Sequence, residues 1–363
     1  MYLSEISKGK ENNLNFIRFV AALSVLVSHS FPLAMGAGTT EPLFIYTGMT
    51  LGEISVDIFF IISGFLVTGS LILRKSSVEF IVSRFLRIYP GLMFVILFSV
   101  FCLGCFFTKI PLQSYVTDNV TVSYIVKNAL MVTGAAYYLP GVFEKNPFPS
   151  SVNGSLWTLV WELRMYAILI FLWLILTPLK NNREKYFKIL IILLAGCGFL
   201  FFQIISSNEW LLKLSRFVYY FFIGGAFYVL REQVKLYKSV AIVFIILIFV
   251  ATFFDRYVFK IFFMLMMPYV LLYVSYVPHG FIRKFNNLGD YSYGIYIYAF
   301  PVQQSIVAII PGLSVFNLTF LAVCVTLLVS WFSCEFIEQP ALRKKNSLSS
   351  LIKKSFPILK LTE

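Results

Sequence analysis

His29 is one of only two histidines in 363 residues, and it sits in a long apolar run. Imidazole is the usual general base near neutral pH. Arg18 precedes it by eleven positions in the same run. At about 100° per residue that spacing closes three helical turns, so both side chains leave one helix face roughly 16 Å apart along the axis. Each residue also has a plainer reading: Arg18 can snorkel to lipid phosphates, and His29 can cap a helix end at the interface. Glu162 lies one to two turns into another apolar run, within Ser155-Leu156-Trp157-Thr158-Leu159-Val160-Trp161-Glu162. A carboxylate at the depth of His29 orients the ring and raises its basicity. The alternative for Glu162 is an ion pair with Arg164 or Lys145.

Three further positions carry chemistry. Asp57 opens the apolar stretch Asp57-Ile58-Phe59-Phe60. It needs either a basic partner on a neighbouring helix or the positive end of its own helix. Ser63-Gly64 reads as close helix packing more readily than as a nucleophile. Arg84 and Arg87 are three apart, share a helix face, and stand just before Pro90, which is expected to open the third apolar span. Guanidinium forks bind phosphate, so a phosphate-bearing cytosolic ligand such as coenzyme A suits them, as does plain basic anchoring. In the series Tyr291, Tyr293, Tyr296 and Tyr298 most members read as packing and interface anchors, with Tyr296 a candidate hydrogen-bond donor. His279 reads as a solvated loop residue. The five cysteines lie in apolar stretches and show no metal-ligand spacing with histidine, so no metal is expected.

The elements that position these residues are set by composition. The chain is 59% apolar, 18% aromatic and only 13% charged, against about a quarter charged in ordinary soluble domains. Its net charge of +13 comes in short clusters between apolar runs. That is the membrane pattern and not a nucleic-acid patch. A bilayer core takes about 20 apolar residues per helix. On that measure the chain reads as an all-α integral membrane protein with about ten transmembrane helices. The expected spans are 15–34, 52–73, 90–108, 155–177, 187–206, 213–230, 238–254, 258–277, 288–309 and 315–335. The first reads as a retained helix and not as a cleaved leader. The segment 110–150 is the longest external loop and holds a short interfacial helix near 121–133. Most of the 30 basic residues, Lys10 and Lys360 among them, fall on one side of this topology, which places both termini in the cytoplasm. The expected parts are a cytoplasmic segment 1–14, a membrane domain 15–338 and a basic cytoplasmic tail 339–363.

Six segments in register resemble the acyltransferase 3 family of bacterial membrane acyltransferases. They are Asn15-Phe16-Ile17-Arg18-Phe19 with His29 following; Ser55-Val56-Asp57 through Ser63-Gly64-Phe65-Leu66; Arg84-Phe85-Leu86-Arg87-Ile88-Tyr89-Pro90; Ser155-Leu156-Trp157-Thr158-Leu159; Ser292-Tyr293-Gly294-Ile295-Tyr296; and Phe336-Ile337-Glu338-Gln339-Pro340. The resemblance spans Leu14 to about Arg343. It implies O-acylation, typically O-acetylation, of a lipid-linked or surface glycan at the bacterial inner membrane: O-antigen, exopolysaccharide, capsule or a Nod-factor-type oligosaccharide. Acetyl-CoA is the implied donor substrate, with no permanently bound cofactor. Arg18 and His29 match the family's paired residues in the first span, Arg84 and Arg87 its cytoplasmic pair, and Glu162 the first acid of its Ser-Leu-Trp segment. Asp57, Ser63, Trp157 and Tyr296 stand as supporting residues in these landmarks. Leu163 and Arg164 replace a second acid and a Gln, and Ala299 stands where relatives often carry His. A mechanism that needs a second carboxylate or a second intramembrane His therefore finds neither residue here. With no esterase-like domain after the last span, direct transfer by the membrane domain is the expectation.

The expected chemistry has the donor entering from the cytosol, its phosphates on Arg84 and Arg87. His29, oriented by Glu162, takes the proton of an attacking sugar hydroxyl or carries the acyl group transiently. Two competitors share the composition. A glycan flippase or solute carrier is expected to show an inverted repeat with broken helices, and none is visible. A scaffold subunit needs no polar residue at depth.

Overall fold

The computed structural model describes residues 1–9, 11–205 and 208–355. Lys10 and Lys360, and the end of the tail beyond 355, lie outside the described residues. Ten principal helices occupy the ten expected segments. They are α1 (Leu14–Met35), α2 (Leu51–Arg74), α3 (Ser77–Leu97), α4 (Trp157–Ile175), α5 (Arg183–Ile204), α6 (Glu209–Val229), α7 (Lys238–Ala251), α8 (Arg256–Tyr276), α9 (Ser292–Ile309) and α10 (Val315–Ser333). A tail helix, α11 (Lys345–Ser355), follows. Seven helical stretches are long and apolar enough to cross a membrane; α7, with 14 residues, is shorter than the others. The long segment 110–150 carries the helix Asn119–Leu130, close to its expected place. Among the described residues there is no strand, only an isolated bridge between Tyr2 and Lys235.

Local chemistry fixes the helix starts. Thr50 caps α2 by accepting from Glu53 N at 3.0 Å, while the Glu53 carboxylate accepts from Thr50 N at 2.9 Å. Buried Glu41 accepts from Ser28 Oγ at 2.6 Å and from Leu51 N at 2.8 Å, tying α1 to the start of α2 next to His29. Asn13 anchors the start of α1 by donating to the Val274 and Pro278 carbonyls at 2.9 and 3.0 Å.

The third span differs from expectation. Pro90 does not open it. Ser76 does, its hydroxyl accepting from Glu79 N at 3.4 Å, and Pro90 lies inside α3. A buried helix tolerates the single ladder bond that Pro removes when its neighbours hold it in place. Arg84 and Arg87 therefore ride on a helix and not on a loop. The helix continues through a π-helical stretch, Phe98–Gly104, where Tyr115 of the 110–150 segment donates to the Val100 carbonyl at 3.0 Å. Such stretches release a carbonyl from the regular ladder.

The tightest packing is between α2 and α6. A Cβ built at Gly64 would fall on the Phe221 carbonyl, and one at Gly224 on the Ile61 carbonyl. Gly64 is thus a packing residue, as its sequence suggests. Large apolar side chains such as Phe106, Phe253, Phe316 and Leu328 face outward, each more than two-thirds exposed, an arrangement suited to lipid.

The two ends of the bundle sort consistently. Leu3 N donates to Val234 O, Asn286 Nδ2 to Asn12 O, and Lys353 pairs with Glu79, joining segments expected on one side. Lys109 pairs with Glu144, and Asn146 donates to Gln304, at the other end.

Candidate functional site

A cavity of about 330 Å³ opens between α1, α2, α3, α4 and α9. Its rim carries Arg18, Arg84, Arg87 and Lys345, and its inner wall carries Ser63, Glu162, Tyr166 and Tyr296.

At the rim, Asp290 lies just ahead of α9 and accepts from both Arg18 and Arg87, the latter at 2.6 Å. Arg87 also approaches Glu338 at 3.8 Å. Ser333 donates to Glu338 at 3.1 Å, and Tyr298 donates to Ser333 at 3.0 Å. One polar chain thus links α1, α3, the approach to α9 and the end of α10. Burial alone would raise the Asp290 carboxyl, but the two guanidinium groups outweigh it and hold it down to about 2.

At the inner wall, Tyr166 donates to Glu162. Ser63 Oγ lies 2.9 Å from the Tyr166 hydroxyl and 3.4 Å from Glu162 Oε1. The Arg84 guanidinium stands 5.9 Å from the centre of the Tyr166 ring. Deeper, the Tyr296 and Thr158 hydroxyls share a 2.5 Å hydrogen bond.

His29 does not join this cavity. It lines a second, smaller pocket of about 90 Å³ with Glu53, Trp157 and Arg216. Its ring packs edge-on against Phe300 at 5.3 Å, and its Nδ1 is buried with no hydrogen-bond partner among the described residues. The two pockets stand back to back, because Val56 and Tyr296 line both. The expected contact between Glu162 and His29 is therefore not formed. Glu162 is engaged by Tyr166 and Ser63, on the far side of the shared wall. The two side chains face different spaces.

Asp57 has the basic partner it requires. Arg216 on α6 donates to its two oxygens at 2.9 and 3.0 Å, in bidentate form, and also reaches Glu53. Of the expected residues, the structure brings Arg18, Arg84, Arg87, Ser63, Glu162 and Tyr296 to one cavity, and places His29, Trp157 and again Tyr296 at the other. Arg216, Asp290 and Lys345 escaped the sequence reading. Asp290 carried a usable signal: it is the only acid between Asp255 and Glu335 and sits two residues before the Ser292-Tyr293-Gly294 segment.

Residues 11–335 match the family model described as an acyltransferase domain, Acyl_transf_3. The chain belongs to the acyltransferase 3 family. It is 26% identical to an O-acetyl transferase of Shigella phage Sf6 over 360 residues, covering 94% of this chain and 99% of that protein. It is also 30% identical to nodulation protein 10 of Rhizobium leguminosarum bv. viciae over 177 residues, covering 46% of this chain and 45% of the relative. No solved structure matches the chain. All nine expected site residues lie within the matched residues 11–335.

Proposed function

We propose that the protein is a multi-pass O-acetyltransferase of the bacterial inner membrane that moves an acyl group from a cytosolic coenzyme A thioester to a hydroxyl of a cell-surface polysaccharide or oligosaccharide. In this reading all ten helices cross the bilayer, both termini lie in the cytoplasm, and the cationic rim faces the cytosol. The observation that carries it is the pair of pockets separated by Val56 and Tyr296. One has the guanidinium groups that an anionic donor needs, and the other holds an unpartnered imidazole for a neutral acceptor. The O-acetyl transferase name of the phage relative supports the acyl group and the oxygen acceptor.

The thioester end of the donor lies along the Ser63-Tyr166-Glu162 cluster. An acceptor hydroxyl enters the His29 pocket, where Trp157 offers a flat apolar face to a sugar. The hydroxyl oxygen attacks the thioester carbonyl carbon at the shared wall, and its proton passes to His29. Collapse of the tetrahedral adduct breaks the carbon–sulfur bond. The thiolate leaves towards the rim and takes up a proton there, and the acyl ester stays on the acceptor. Tyr296 and Thr158 lie where oxyanion charge develops.

The test is mass spectrometry of surface polysaccharide from strains with and without the gene, and with His29→Ala. The ester is expected to vanish in the last two while the variant still inserts. An unchanged ester content would overturn the reading, and a glycan that never reaches the surface would replace it with a flippase.

A further inference from the structure

Four cations ring the donor cavity, but they are not equivalent. Arg18 and Arg87 are already bound to Asp290, and Arg87 also to Glu338. Their charge is answered inside the protein, so they hold the rim together more than they attract a ligand. Arg84 makes no ion pair among the described residues; it donates only to Ser83 Oγ, at 3.4 Å. Lys345 likewise forms no ion pair among the described residues. Arg74 and Arg84 repel its ammonium, and Glu79 attracts it. Glu79, however, is taken by Lys353 at 3.1 Å and Arg74 at 3.7 Å. The mouth of the cavity is thus left with two unanswered positive charges, on α3 and α11.

The tail is fixed in place to present the second of them. Ala341, Leu342, Leu348 and Ile352 pack on Val78, Val82 and Leu86 of α3. Leu342 itself lines the cavity beside Lys345. This segment lies beyond the residues that match the family, 11–335.

We propose that Lys345 and Arg84 together bind a phosphate of the donor, making the tail helix a wall of the donor site and the ligand class a thioester that carries a nucleotide polyphosphate. Two cations from different helices grip a polyanion more selectively than one loop arginine. The inference deepens the acyltransferase reading and rests on it. A phospholipid headgroup offers the same phosphate chemistry, so the experiment separates the two sources.

Purified full-length protein is placed in nanodiscs of zwitterionic lipid and titrated with coenzyme A. Lys345→Gln is expected to weaken binding roughly tenfold, and Lys345→Arg to retain it. Transfer from S-acetylpantetheine, which lacks the nucleotide phosphates, should run at the wild-type rate in Lys345→Gln. His29→Ala should bind coenzyme A normally while transferring nothing. Coenzyme A affinity unchanged in Lys345→Gln but reduced in Arg84→Gln would overturn this inference and leave the donor reading standing. An effect of Lys345→Gln that appears only with phosphatidylglycerol in the nanodisc would assign the residue to a lipid headgroup and overturn it too. Wild-type protein that binds no coenzyme A would remove both readings.

Discussion

Arg87 is held to Asp290 at 2.6 Å, and this contact joins α3 to the loop ahead of α9. The same carboxylate binds Arg18, so one acid organises two of the four cations at the cavity rim.

Asp290→Asn therefore leaves two partly buried guanidinium groups facing each other. Breaking a buried pair from one side costs about 3–5 kcal/mol; with side chains 15–23% exposed here, about 2–3 kcal/mol is expected. A thermal melt in detergent checks this. Loss of donor affinity should accompany it, because Arg87 is no longer aimed.

The pH dependence of that contribution has a definite sign. The folded carboxyl is held below its ordinary value, to about 2, so its stabilisation is present above the unfolded value of about 4. It is lost as pH falls from there towards 2. Midpoints of wild type and Asp290→Asn should differ by a constant amount above about pH 5 and converge below about pH 4. A gap that persists at low pH would show that the clamp is not electrostatic.

Arg216→Gln strands the fully buried carboxylate of Asp57, whose two oxygens it satisfies. A destabilisation of about 3–5 kcal/mol is expected. Converting both residues to amides, Asp57→Asn with Arg216→Gln, should recover part of it. The readout is the thermal midpoint of the single and double variants.

Gly64→Ala places a methyl group on the Phe221 carbonyl where α2 and α6 touch. The helices must part, at a cost of about 1–3 kcal/mol or more. Gly196, with open space around its Cβ position, provides the control: Gly196→Ala should leave the melt within about 0.5 kcal/mol.

Glu162→Gln keeps the size of the side chain but removes the charge that Tyr166 donates to. If the cluster serves the thioester, kcat should fall roughly 10²-fold or more while coenzyme A affinity stays unchanged. A drop in affinity alone would place Glu162 in donor binding instead.

The sequence conveys depth along the membrane well and rotation about each helix poorly. Apolar run length placed most of the helices; seven stretches among the described residues are long and apolar enough to cross a bilayer. It set the third too late, since α3 begins at Ser77. Asp57 called for either a cation or the positive end of its own helix, since a bare carboxylate cannot rest among Ile and Phe, and the structure supplies the cation. Its partner Arg216 was not legible, because nothing local to α6 says which neighbour it faces. The same gap explains His29 and Glu162. Similar depth was expected from counting residues, whereas the wall between them depends on how α1, α2, α4 and α9 are rotated against one another. Pro90 misled for a different reason: it marks a helix start only where no better cap lies upstream, and Ser76 with Glu79 is better.

The partition formed by Val56 and Tyr296 also bears on the cell's energy supply. A catalyst that works across a bilayer risks becoming a pore, and a continuous aqueous path would discharge the proton gradient. In the proposed reading the two reactants arrive from opposite compartments, and Val56 and Tyr296, which line both pockets, stand between them. On that reading, group transfer and electrical insulation fall to the same few atoms.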